Sequence, residues 1–202
     1  EPREDEPMLD RYARLSALLD LRYDGSTTLS LDQAARKRGL DLLGSVGFKS
    51  TTPARVAIHP GNFKKFDNRW PEEKFVGLAD LLMEDPRLAL YFLAGPGEQT
   101  QVEAIARACK RPAPVLPQAP LQDTAAMLSY MSLLVCNITG TTHVAHALGL
   151  PTFGLYSGYT DAVWRPRNAR CGGVVSTEWE SCRSTGVDEA ARALRAFLEG
   201  PA

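Results

Sequence analysis

The sequence predicts an α/β domain, a Rossmann-like parallel sheet with helices on both faces, and three features carry that expectation. Short, β-rich apolar runs alternate with helix-like segments of about a dozen residues, the pattern of consecutive βαβ units. Glycine and threonine cluster where a strand run gives way to a helix run, as at Gly95-Pro96-Gly97 and Thr139-Gly140-Thr141-Thr142. The 202 residues, 44% hydrophobic and 23% charged, suffice for one good core with a modest appended segment.

Along the chain, residues 8–21 place Leu9, Tyr12, Leu15, Leu18 and Leu19 at helical spacing, which predicts an amphipathic helix with one buried stripe ahead of the main domain. The stretch 22–53 reads as a connector, with Gly25-Ser26-Thr27, a short helix over 31–39 and the turn-rich Lys49-Ser50-Thr51-Thr52-Pro53. Strands are expected at 55–59, 88–94, 114–116, 133–136, 152–156 and 173–176. Between them the spacing predicts helices over 71–84, opened by Pro71 in its first turn, and over 98–109, 121–130 and 142–148. A last helix over 187–198 is stopped by Gly200-Pro201. The expected organisation is therefore 1–53 as a terminal helix and connector belonging to a preceding domain, and 54–202 as the sheet domain.

Composition excludes several classes. With 23 basic against 24 acidic side chains the formal charge is −1, so no overall field concentrates a polyanion, and nucleic acid is not an expected partner. No run reaches the roughly eighteen apolar residues of a membrane span, and the opening Glu1-Pro2-Arg3-Glu4-Asp5-Glu6 is unlike a secretory signal, which predicts a soluble, cytoplasmic domain. Cys109, Cys136, Cys171 and Cys182 form no CxxC pair, so neither a zinc site nor a disulfide framework is expected.

In an open parallel sheet a ligand lies beyond the carboxyl ends of the strands, so the loops there are the candidates. After the first strand, His59 to Pro71 carries Gly61, which lets a ligand approach the backbone, together with Lys64, Lys65, Asn68 and Arg69, of which the cations can neutralise phosphate. The alternative is a solvated loop whose Trp70 packs on the next helix. After the second strand, Gly95-Pro96-Gly97-Glu98-Gln99-Thr100 imitates a dinucleotide fingerprint but lacks the third glycine, and Leu116-Pro117-Gln118 offers no carboxylate to hold a ribose in the manner of a nicotinamide enzyme. Glu98 either caps its helix or binds a ribose. The fourth loop, Cys136 to His143, leads from a buried strand into a helix. Free amides at the helix start favour a phosphate, the hydroxyls of Thr139, Thr141 and Thr142 add donors, and His143 either reaches the same anion or is a hydrogen-bonded structural residue. His146, one turn on, has no ligand partner nearby in sequence, and Asn137-Ile138-Thr139 matches a glycosylation acceptor only incidentally.

In order, VAIHPGN at 56–62, NRWPEEKFVGLADLL at 68–82, YFLAGPGE at 91–98, the L-x-D-x-A-x-M-L run at 121–128, NITGTTHVAHALGLPTFGLYS at 137–157 and GYTDAVWRP at 158–166 resemble the C-terminal domain of glycosyltransferase family 9, the ADP-heptose:lipopolysaccharide heptosyltransferases. The resemblance implies one half of a GT-B pair of domains, with 54–202 holding a nucleotide sugar. It implies diphosphate contacts from Thr139, Gly140 and His143, a ribose contact from Glu98 beside Gly95, and an adenine edge at Gln118 and Ala119. It further implies an inverting, metal-independent transfer of heptose or a related sugar to lipopolysaccharide or a similar glycan, with no cofactor. The general base is expected on the N-terminal domain, so the catalytic residues are unknown here, and this chain is expected to be an inactive fragment that sits at the inner membrane only through the missing half. Two positions depart from the family pattern: Ile138 stands where an acidic residue usually precedes the Ser/Thr-Gly pair, and Asn68 where many members have lysine. A degenerate, non-catalytic nucleotide-binding domain and a UDP-sugar transferase of the same plan are the alternatives; a nicotinamide oxidoreductase fits the broken glycine pattern less well.

Overall fold

The computed structural model describes residues 5–22, 25–48, 51, 54–61, 69–168 and 170–199. Five parallel strands, β1 (Ala54–His59), β2 (Leu88–Phe92), β3 (Leu133–Asn137), β4 (Thr152–Tyr156) and β5 (Cys171–Val175), form one sheet in the order β2-β1-β3-β4-β5. Strands β3 and β4 are buried at every position, because helices cover both faces, and so they read as unbroken runs instead of alternating ones.

The strand expected at 114–116 is reduced to a single parallel bridge between Val115 and Phe92. The Phe92 N–H donates to the Pro114 carbonyl at 2.9 Å and the Leu116 N–H to the Phe92 carbonyl at 2.7 Å. Pro114 faces β2 and lacks the N–H that would extend this ladder. Counted as a strand, the bridge gives the Rossmann order 3-2-1-4-5-6, and the chain reverses its direction of travel across the sheet between β1 and β3.

Eight helices are described: α1 (Met8–Leu18), α2 (Gln33–Gly44), α3 (Glu72–Leu82), α4 (Gln99–Ala108), α5 (Leu121–Leu128), α6 (Gly140–Ala147), α7 (Gly158–Trp164) and α8 (Val187–Glu199). Alternation along β1 divides them. Val56 and Ile58 join a core with Phe75 of α3, Ile105 of α4 and Leu194 of α8, whereas Ala57 joins Leu43 of α2, Met127 of α5 and Ala145 of α6 on the opposite face. Trp70 packs as a core residue: it is buried, meets Phe75 edge-on at 5.0 Å between centroids, and donates its indole N–H to the Thr185 carbonyl at 2.9 Å.

Three expectations are corrected. No residue of α1 is buried, and Tyr12, Leu15, Leu18 and Leu19 are 51%, 54%, 84% and 60% exposed, so the apolar stripe exists but meets no core. The short helix placed in the connector runs longer, as α2, and is part of the sheet domain: Ala35 and Leu43 are fully buried, and Gly39 lies so close to α5 that an added Cβ would come within 2.7 Å of the Ala126 Cβ. Helix α7 went unanticipated, being only seven residues long; Ser157 caps it, accepting from the Thr160 N–H at 3.2 Å while the Thr160 hydroxyl accepts from the Ser157 N–H at 2.8 Å. Among the described residues, no helix is long and apolar enough to cross a membrane.

Candidate functional site

The reversal point of the sheet brings together the ends of β1 and β3, where ligands of doubly wound sheets lie. Residue by residue, two clusters stand there.

The first surrounds the Glu98 carboxylate. Glu98 occupies the N-cap position of α4 without capping it; its side chain turns back and accepts the Gly95 N–H at 2.9 Å. Of the two roles left open by sequence, the helix cap is not made. Two glycines make the room. A Cβ on Gly95 would stand 2.6 Å from Glu98 Oε2, and one on Gly61 would overlap the same carboxylate. Beneath lies His59, 2% exposed at the end of β1, with Nδ1 2.9 Å from the Leu93 carbonyl. A carbonyl only accepts, so Nδ1 carries the proton and the ring is held in one tautomer. Burial lowers the His59 pKa, opposed by the Leu93 hydrogen bond and by the Glu98 charge. His59 did not stand out as a functional residue in the sequence; a polar group closing an otherwise apolar strand was the available signal.

The second cluster is the turn from β3 into α6. Thr139 and Thr142 form a reciprocal cap: the Thr141 N–H donates to Thr139 Oγ1 at 3.2 Å, and the Thr139 N–H donates to Thr142 Oγ1 at 3.1 Å. The Thr142 hydroxyl also donates to the Asn137 carbonyl at 3.3 Å, and the Thr142 N–H to the Thr139 carbonyl at 3.1 Å. The expectation that the Thr142 hydroxyl serves a ligand is thereby corrected, since the fold uses it as acceptor and as donor, whereas Thr139 Oγ1 only accepts in this turn and its own O–H donor is not used by it. What remains open at the head of the α6 dipole is the Gly140 N–H, which has no hydrogen bond among the described residues, together with the half-exposed Thr139 hydroxyl proton and the neighbouring Thr141 side chain.

His143 sits on the first turn of α6, its ring 6.1 Å from that of Trp164 of α7, and partial burial and the nearby His146 lower its pKa. With Met8 and Tyr12 of α1, His146, Trp164 and Arg165 it lines a cavity of about 280 Å³. His146 is engaged structurally, with Nδ1 2.9 Å from Asn168 Nδ2. Among the described residues, no group of three metal-ligating side chains is found. All four cysteines are buried free thiols, with burial pushing Cys136 up to about 12.

Gln118 and Ala119 follow the Val115 bridge on the outer side of β2; the Ala119 carbonyl accepts the Thr124 hydroxyl at 3.2 Å and Gln118 is exposed. Ile138 is half-buried between the strand and the capped turn. Lys64, Lys65 and Asn68 lie outside the described residues. The structure thus gathers Gly61, Gly95 and Glu98 at one end of the reversal and Thr139 to His143 at the other.

A wholly parallel sheet of this order, with helices on both faces, has the Rossmann-like architecture of a domain of the GT-B glycosyltransferases. The chain belongs to glycosyltransferase family 9 (heptosyltransferase), whose family model matches residues 1–191. Its fold is similar to that of a family 9 glycosyltransferase from Veillonella parvula, with a TM-score of 0.76 at 18% identity over 98% of this chain and 62% of that one. It is similar also to E. coli ADP-heptose lps heptosyltransferase II, with a TM-score of 0.69 at 16% identity over 85% of this chain and 53% of that one. E. coli heptosyltransferase WaaC with ADP-2-deoxy-2-fluoro heptose matches with a TM-score of 0.58 at 20% identity, over 93% and 53%. No curated protein matches the sequence. The chain therefore spans 62% of the first of these structures and about half the length of the other two.

Proposed function

We propose that this chain is the nucleotide-sugar-binding half of an enzyme that transfers heptose or a related sugar from an ADP-sugar to lipopolysaccharide core or a similar glycan. The observation that carries the reading is the exposed, unbonded Gly140 amide at the start of α6, at the reversal point of the sheet, with the Glu98 carboxylate held at the neighbouring strand end. A diphosphate on Gly140, the Thr141 hydroxyl and His143, assisted by Lys64, Lys65 or Asn68 from the loop after β1, satisfies the helix dipole. A ribose reaches Glu98 and Gly95, and the base lies toward Gln118 and Ala119. Helix dipole and cationic side chains stabilise the departing nucleoside diphosphate without a metal ion, as an inverting displacement requires. The acceptor is deprotonated by a base on the partner domain, to which α1 provides the terminal helix and the stretch before α2 the connector; the exposed α1 stripe supports this division. The reaction is placed on the cytoplasmic side, at the inner membrane through that other domain.

The test is calorimetry with ADP, UDP, GDP and NAD on this chain and on His143→Ala and Glu98→Ala. ADP is expected to bind best and NAD poorly, and His143→Ala to weaken ADP by about 1–3 kcal/mol, the size of a lost charge-assisted phosphate contact. Preference for UDP moves the donor to that class, and unchanged ADP affinity in both variants refutes the site. Ile138, an aliphatic side chain at a turn position where the family has an acid, favours a second reading, a nucleotide-binding domain that no longer turns over. Sugar transfer by the whole protein excludes it.

A further inference from the structure

Apart from His143 at its edge, the cavity of about 280 Å³ between α1, α6 and α7 has no part in the proposed donor site. Its walls are of two kinds. Met8 and Tyr12 of α1 and Val163 and Trp164 of α7 supply apolar and aromatic surface, whereas His146 and Arg167 supply hydrogen-bond donors and positive charge. No acidic or carboxamide side chain is among the described residues that line it. Asp161 and Glu6, acids close by in sequence, are spent elsewhere, on Arg165 at 2.8 Å and on Arg14 at 2.8 Å. The Arg165 guanidinium, so paired, also lies over the Tyr156 ring, 5.0 Å from its centroid. Arg167 is exposed and has no hydrogen bond or ion pair among the described residues.

The direction of one donor is fixed by the fold. Asn168 Oδ1 accepts the Arg170 N–H at 2.9 Å, which orients the carboxamide so that Nδ2 donates to His146 Nδ1 at 2.9 Å. The Cys171 thiol stands by the same nitrogen at 3.5 Å. A ring nitrogen that accepts carries no proton, so neutral His146 holds its proton on Nε2, which has no hydrogen bond among the described residues. Burial lowers the His146 pKa, which keeps this tautomer in place near pH 7.

We infer that this cavity is a binding site for a small organic acid, a carboxylate on a flat hydrocarbon body, with the charge on His146 Nε2 and Arg167 and the body between Tyr12 and Trp164. A volume at the lower end of ligand pockets holds roughly ten to fifteen non-hydrogen atoms. The lining selects the class. A polyhydroxylated ring needs acceptors as well as donors, and neither carboxylate nor carboxamide is there to accept, whereas an acid with an apolar body needs what the walls offer. The inference goes beyond the donor reading and does not depend on it; His143 is the residue that the two sites share.

The experiment is calorimetry on this chain with 2-naphthoate as the probe. It is compared with 2-naphthamide, which has the body without the charge, with inorganic phosphate, which has charge without the body, and with glucuronate, an acid on a sugar ring. 2-Naphthoate is expected to bind at least about tenfold more tightly than any of these. In NMR spectra the Trp164 indole N–H should shift on its addition, while that of Trp70, bonded to Thr185, stays in place. Arg167→Ala should weaken the acid by about fivefold or more and change the amide by less than about twofold. Met8→Trp fills the cavity from a helix that buries no residue, so it should leave the melting temperature in place and weaken 2-naphthoate by about tenfold or more. With ADP saturating, the acid should keep its affinity within about fivefold. Equal binding of acid and amide, a preference for glucuronate, an unmoved Trp164 signal or strict competition with ADP would overturn the inference. Failure of the chain to bind ADP refutes the donor reading instead, and the naphthoate series then decides the cavity alone.

Discussion

Glu98 owes its place to what its neighbours lack. Its carboxylate fills the space that side chains on Gly61 and Gly95 would need, and one Gly95 N–H holds it there. In Gly61→Ala the group that must move is the far end of a flexible side chain, so the fold gives way cheaply while the carboxylate loses its aim. The melting temperature of Gly61→Ala is therefore expected to stay within a few degrees of wild type, with ADP affinity down about tenfold; an unaltered affinity would mean that Glu98 is not a ligand contact. The histidines make a second prediction. His59, His143 and His146 all have lowered pKa values, burial being the largest cause in each. As pH falls below about 6.5 the unfolded chain takes up their protons before the folded chain does, so it binds more protons and stability drops. Their contribution is intact above that pH and lost as pH falls toward the depressed folded values. Thermal melts should be level between about pH 7 and 8 and decline below about 6.5, with a shallower decline in His59→Gln.

At the scale of elements, two glycines of α2 predict opposite outcomes. Gly39 faces the α5 backbone, and a Cβ there would lie 2.8 Å from the Ala126 carbonyl carbon, which cannot swing aside. Gly39→Ala is expected to destabilise by about 1–3 kcal/mol through overpacking, whereas Gly44→Ala, with nothing within 4 Å, should stabilise by up to about 1 kcal/mol through helix propensity. Denaturant midpoints of the two variants check this, and equal shifts would contradict the close α2–α5 crossing. The sequence made the β1, β3 and β4 strands plain, since a strand covered on both faces shows as an unbroken apolar run. It hid what tertiary structure alone decides. The strand expected from Gly173 starts earlier, at Cys171, and takes in Gly172 as well, because the rings of Phe197 and Tyr156 occupy the space above the two glycines. The site was legible in part for the same reason: glycines and threonines at strand ends mark open backbone, but whether a threonine hydroxyl faces a ligand or caps its own helix depends on its rotamer. Asn137 looked like a glycosylation acceptor because sequence cannot show a buried amide bonded to the Pro60 carbonyl and the Trp70 N–H.

At the scale of the whole molecule, the apolar stripe of α1 stands exposed among the described residues. Helix α1 has the periodicity of a buried helix, yet Leu15 and Leu18 stand open to solvent, and exposing a contiguous apolar stripe is costly unless another surface covers it. On the proposed reading that surface is the acceptor domain, and the shared cavity between α1 and α6 lets domain closure be felt at His143. Leu15 and Leu18 do not line this cavity, so their replacement separates docking from nucleotide binding. The double variant Leu15→Glu/Leu18→Glu in this chain should bind ADP with wild-type affinity and should self-associate less in sedimentation experiments, because the stripe no longer favours its own copies. In the whole enzyme the same pair should lower kcat/KM for sugar transfer by tenfold or more, since two buried carboxylates oppose closure. A fall in ADP affinity of the isolated chain would show that α1 belongs to the nucleotide site itself, and unimpaired transfer by the whole enzyme would show that the stripe is not a domain interface.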